Sequence, residues 1–201
     1  MINKIPFLLI YSRILFGIMI GLLAIYKIEN YSNWIVFLMI IGLITDVFDG
    51  IIARKLNVSN EKLRIWDSNV DQFFWLIIII SVFYLNINFL KENKTWIGVI
   101  VLLELMSYLI SFIKFKKTIA THSILAKFWT LSLLWFLIDL TLNSTSQLAF
   151  FICIVLGVIS RIEINIIILK LKKWVTDVPS IFVVSKINRG IKIKKNKLFN
   201  S

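Results

Sequence analysis

The chain has 201 residues, 59% of them from the set Ala, Val, Ile, Leu, Met, Phe, Trp, Tyr and Cys, and a mean hydropathy of +0.86. Only 17% are charged, against about 25% in an ordinary soluble domain, a composition that excludes a water-soluble globule. Lys and Arg outnumber Asp and Glu by 23 to 11, a net charge of +12, which leaves a helical membrane protein with cationic loops.

Six apolar runs bounded by charge follow one another: Ile5 to Tyr26, Trp34 to Ala53, Val70 to Leu90, Trp96 to Ile113, Ile124 to Leu142, and Leu148 to Leu169. Each is near the length of about 20 residues that crosses a hydrocarbon core of about 30 Å. Arg13 inside the first run, and the lack of a small-residue cleavage site, argue against a removed signal peptide. Trp34, Trp96 and Trp174 stand at run edges, where an amphipathic indole prefers the headgroup zone.

Sidedness follows from the basic residues, because cytoplasmic loops collect Lys and Arg. Arg54, Lys55, Lys62 and Arg64 follow the second run, Lys114, Lys116 and Lys117 the fourth, and Lys170, Lys172, Lys173 and further lysines up to Lys197 the sixth. The alternate loops hold Lys27 with Glu29, then Lys91 and Lys94 with Glu92, then no charge from Asn143 to Gln147. The expected fold is therefore all-α, a polytopic bundle of six transmembrane helices with both termini cytoplasmic. Residues 1–170 would form the membrane domain and 171–201 a basic cytoplasmic tail. Ile, Phe and Val among the tail's lysines suit an interfacial segment on anionic lipid, at about 1 kcal/mol per basic residue, rather than a nucleic-acid partner. One cysteine, Cys153, and one histidine, His122, exclude an intramolecular disulfide, a thiolate cluster and a histidine zinc site.

Four of the 11 acidic residues, Asp46, Asp49, Asp67 and Asp71, gather where the second run ends and the third begins. An aspartate inside a span costs about 2.5 to 3.5 kcal/mol, so four together require a cationic partner. At 100° per residue Asp46, Asp49, Gly50, Ala53 and Arg54 share one helical face, and Asp67 and Asp71 share another on the next helix. An antiparallel pair of helices brings the two sets together near the inner membrane surface. Hard carboxylate donors without His or Cys suit Mg²⁺ or Mn²⁺ better than zinc. Gly50 and Ala53 keep their face low for a bulky ligand, and Arg54 offers a donor fork for phosphate. Together these residues describe a metal-diphosphate site.

The stretch Asp46-Val-Phe-Asp49-Gly50-Ile-Ile-Ala53-Arg54, eight residues, Leu63, three residues, Asp67, three residues, Asp71 resembles the signature of the CDP-alcohol phosphatidyltransferase family. Seven of its eight defining positions match over 26 residues. The exception is Leu63, where the family has its second glycine. The segment from Ile5 and Pro6 to Arg13 is similar to the family's amphipathic opening, and Lys127 with Thr130 repeats a K-x-x-T spacing in the fifth run.

The resemblance implies that Asp46, Asp49 and Asp67 hold divalent metals, with Asp71 as general base and also near the metal. It implies that Asp46, Gly50, Ala53 and Arg54 bind the CDP moiety, with Gly50 and Ala53 lining the cytidine pocket and Arg54 on the diphosphate. The expected activity is metal-dependent transfer of a phosphatidyl or other substituted phosphate group to an acceptor alcohol, with release of CMP, in phospholipid biosynthesis. The partners implied are CDP-diacylglycerol or another CDP-alcohol donor, an acceptor alcohol, membrane lipids and a second copy of the chain in a homodimer. Leu63 keeps open a degenerate, cation-binding relative without turnover, and aspartates around a diphosphate also fit a membrane prenyltransferase. Lys114, Lys116, Lys117 and Lys127 are the candidate contacts for a phosphorylated acceptor. Glu104, Asp139 and Glu163 also lie in or near apolar runs, Glu163 as a neutraliser of a base such as Lys127 and Asp139 near the outer end of its helix.

Overall fold

Within hydrocarbon every backbone N–H must find a carbonyl in its own segment, so long apolar runs become helices. The computed structural model describes residues 5–56, 61–117, 123–175 and 178–191, with the backbone only of Arg54 and residues 61–65. The helices are α1 Ile5–Tyr26, α2 Tyr31–Lys55, α3 Glu61–Leu85, α4 Ile87–Glu92, α5 Lys94–Phe115, α6 Ile124–Asn143 and α7 Leu148–Lys170. A 3₁₀ turn, Ile181–Val183, then leads into α8, Val184–Asn188, and no strand occurs among the described residues. All of these except α4 and α8 contain segments of 20 to 23 residues long and apolar enough to cross a membrane. The chain is all-α as expected, with six helices long and apolar enough to cross a membrane.

The ends differ from the apolar runs for local reasons. Helix α2 continues to Lys55 and α3 starts at Glu61, so charged residues extend both helices and the link between them is short. Leu63 consequently has a helical backbone in the first turn of α3, a position where Leu is a better helix former than Gly by about 1 kcal/mol. The third run was expected to reach Leu90, but α3 stops at Leu85. The Asn86 N–H donates to the carbonyls of Val82 (3.0 Å) and Phe83 (3.2 Å), and its Nδ2 also donates to Val82 O at 3.0 Å. That local side-chain bond competes with helix continuation, and α4 starts afresh at Ile87. At the far end of the described chain Gly190, at φ 73°, closes α8: its N–H donates to Ile187 O and the Ile191 N–H to Lys186 O, both at 3.0 Å.

The chain divides into two compact units, Met1–Phe89 with Leu137–Thr145, and Leu90–Phe136 with Ser146–Ser201. In the first, α1 packs on both α2 and α3. Its interior contains Ile20, Ile35, Met39, Phe74, Ile78 and Val82, and a smaller apolar layer joins Ile10, Ala53 and Val70 with Ile14. Helices in lipid associate by close packing rather than by escape from water, and Gly42 shows why small residues matter. The Phe74 ring lies so near that a Cβ on Gly42 would stand 2.6 Å from Phe74 Cε1.

In the second unit α5 packs on α7. The segment after Lys170 is a built part of it: Leu171, Val178 and Val184 join Ile167 in a buried cluster flanked by Phe115 and Ile187. Polar contacts fix this segment too. The Ile124 N–H donates to Pro179 O (3.0 Å), the Lys172 N–H to Asn188 Oδ1 (2.9 Å), and Asn188 Nδ2 to Lys170 O (2.8 Å).

Candidate active site

Helix α1 contributes one cation to its unit, Arg13, and α2 and α3 contribute two carboxylates each. The side chain of Arg13 is completely buried. Its Nη1 pairs with Asp46 Oδ1 at 2.7 Å and with Asp71, while its Nη2 pairs with Asp49 and Asp67. The fixed fork of a guanidinium suits such an arrangement, since its two terminal nitrogens point at separate carboxylate pairs. Among the described residues Arg13 Nε has no hydrogen-bond partner. Asp49 is the most enclosed of the acids at 3% side-chain exposure, whereas Asp46, Asp67 and Asp71 keep 37%, 32% and 29% and so form an open rim.

The helical spacing places the four acids as their sequence positions require. Asp46 and Asp49 are three apart on α2, and Asp67 and Asp71 are four apart on α3, so each pair shares a face. One ligand atom from each of Asp46, Asp49 and Asp67 lies within 4.8 Å of the others, close enough for a single ion to engage all three. The donors are all hard carboxylate oxygens, the set preferred by Mg²⁺ and Mn²⁺. The count of groups supports the same fit: four carboxyl groups share one guanidinium, which leaves acidic oxygens for a further cation at the edge of hydrocarbon.

Other expected site residues are placed differently. Gly50 is half-buried in α2, and Ala53, one turn on, lies in the apolar layer with Ile10 and Val70. The side chains of Arg54 and Leu63 lie outside the described residues, as do the link residues Asn57, Ser59 and Asn60 and the loop residue His122. Lys114 donates from Nζ to the carbonyls of Ile168 (3.1 Å) and Leu169, capping the end of α7. Lys116 lies over the Phe112 ring and Lys117 over Trp174, at 5.4 and 4.4 Å from the centroids. Lys127 is exposed on α6.

Two ionic features were not foreseen. In the sequence Arg13 marks only the absence of signal cleavage and the opening segment, yet the four aspartates require a cation and α1 has no other charged residue. In the second unit Arg161 Nε stands 2.7 Å from Glu104 Oε2, and its guanidinium lies over the Trp129 ring at 4.4 Å. The available signal was an acid, Glu104, in one apolar run and a base, Arg161, in another, which favours pairing in lipid. Glu163, expected to neutralise a base, instead accepts a hydrogen bond from the Ile181 N–H at 3.2 Å. Asp139 accepts from Asn143 Nδ2 at 2.6 Å, one turn further along α6.

No curated protein and no solved structure matches the chain. The family model for CDP-alcohol phosphatidyltransferase does match, over residues 3–162, a range that includes every residue of the four-aspartate site and all six membrane helices except the end of the last. Members of this family are integral membrane transferases that use a CDP-alcohol donor and an alcohol acceptor and generally depend on a divalent metal. With Asp46, Asp49, Asp67 and Asp71 converging at the expected spacing, the chain belongs to the CDP-alcohol phosphatidyltransferase family.

Proposed function

We propose that the chain transfers a phosphatidyl group from CDP-diacylglycerol, or a related substituted phosphate from another CDP-alcohol, to an acceptor alcohol in phospholipid synthesis. The observation that carries this reading is the gathering of all four signature aspartates, from two helices, at one half-open site. Asp46, Asp49 and Asp67 are the residues to hold Mg²⁺ or Mn²⁺, which when bound neutralises charge on the phosphoryl oxygens and on departing CMP. Gly50 and Ala53 are assigned to the cytidine side of the donor and Arg54 to its diphosphate.

Asp71 is assigned the proton. It takes the hydrogen of the acceptor hydroxyl as that oxygen forms its bond to phosphorus, and the bond from phosphorus to the CMP oxygen breaks. Its carboxylate is partly open to solvent, as a base that must meet an incoming alcohol requires. Lys127 is retained as a candidate acceptor contact, whereas Lys114, already bound to the end of α7, would have to leave two carbonyls to serve. The positive-inside pattern assigns the site and both termini to the cytoplasmic side.

The test uses purified protein with radiolabelled CDP-diacylglycerol, CDP-linked small alcohols and a panel of acceptors. CMP release that requires Mg²⁺ or Mn²⁺ and disappears on chelation is expected. No CMP from any donor, under conditions in which a known family member is active, rules the reading out; pyrophosphate as product instead points to prenyl transfer.

A further inference from the structure

A guanidinium inside a membrane span needs partners, and Arg13 has four. Its two terminal nitrogens reach all the acids of the site, including each of the three that lie within 4.8 Å for one ion. The same carboxylates therefore serve two alternative cations, one covalently attached to α1 and one dissolved. The attached cation meets the geometry of the cluster, but it is a single cation shared among four carboxyl groups. A divalent ion would meet the charge better, yet it would be repelled by a guanidinium left within contact distance.

We propose that Arg13 is a tethered counter-cation, which holds the four aspartates together when no divalent ion is bound and is driven off them when the ion enters. The proposal rests on the reading of this cluster as a metal site. It explains why a completely buried arginine sits on the first span without a carboxylate of its own helix beside it. It also explains how α1, which contributes no metal-ligating side chain to the cluster, takes part in the site: its cation sets how readily the cluster accepts metal. Among the described residues Nε has no partner, which fits a side chain held through its two terminal nitrogens on the carboxylates.

The test reads metal binding and stability, not turnover. Protein stripped with chelator is titrated with Mn²⁺ and free ion is followed by electron paramagnetic resonance, for the wild type, Arg13→Gln and Arg13→Lys. The expected result is that Arg13→Gln binds Mn²⁺ at least tenfold more tightly, unfolds at a lower temperature without metal, and regains that loss when Mn²⁺ is added. Arg13→Lys should fall between, since one ammonium cannot span both carboxylate pairs. A second measurement needs no loss of the side chain: the guanidinium nitrogen resonance of Arg13, assigned by its loss in Arg13→Lys, should shift on saturation with Mg²⁺. Wild-type binding of Mn²⁺ with equal or weaker affinity in Arg13→Gln, or an unmoved Arg13 resonance, overturns the proposal alone. A wild type that binds no Mn²⁺ removes the metal reading, and the proposal with it.

Discussion

Asp71 and Asp49 face the same arginine but differ in enclosure, and the proposed roles follow that difference. Asp71 retains 29% side-chain exposure, which suits the proposed base that meets an acceptor, while Asp49 at 3% suits the proposed inner ligand of an ion. We predict that Asp71→Asn lowers CMP release by about 10²-fold to 10⁴-fold, the usual worth of a general base, and weakens Mn²⁺ binding far less than it lowers turnover. Turnover and metal binding measured on the same preparation decide it, and near-normal turnover removes Asp71 from the proton step. The Glu104–Arg161 pair is a different case, because its loss leaves a charge stranded in a partly buried place. Glu104→Gln is expected to destabilise the protein by about 3 kcal/mol, and the double change Glu104→Gln with Arg161→Met to recover most of it. Unfolding in detergent measures both, and a double variant no better than the single one contradicts the pairing argument.

Helices α1, α2 and α3 carry the site, so their mutual distance matters more than their individual propensities. Gly42 on α2 admits the Phe74 ring of α3 at a distance that leaves no room for a methyl group. Gly42→Ala would help an isolated helix, yet we predict a net loss of about 1 to 3 kcal/mol, because Phe74 is itself 2% exposed and has little space to retreat. Thermal unfolding checks the sign, and a stabilised variant shows that the two helices can part without cost. The departure from the family signature falls at the same scale: Leu63 has a helical backbone in the first turn of α3, where leucine is intrinsically a better helix former than glycine.

The charge excess of the whole molecule is concentrated beyond particular ends of the spans, and it sets orientation rather than fold. The chain has one cysteine, buried Cys153, which gives a clean background for a sidedness measurement. In a Cys153→Ser protein, a cysteine at exposed Ser185 should react with a membrane-impermeant maleimide in inside-out vesicles and stay protected in right-side-out cells. The reverse labelling pattern overturns the cytoplasmic assignment. Length and hydropathy were enough to give six spans, because hydrocarbon leaves a long apolar segment no alternative to the helix. The four aspartates were equally legible, since their spacing fixes which helical face each occupies whatever lies around them. What needed the tertiary structure was every partner across helices: Arg13 for the aspartates, Glu104 for Arg161, and the Ile181 amide for Glu163. Sequence spacing constrains neighbours along one helix, but which side chains meet across two depends on packing distances set by residues such as Gly42 and Phe74.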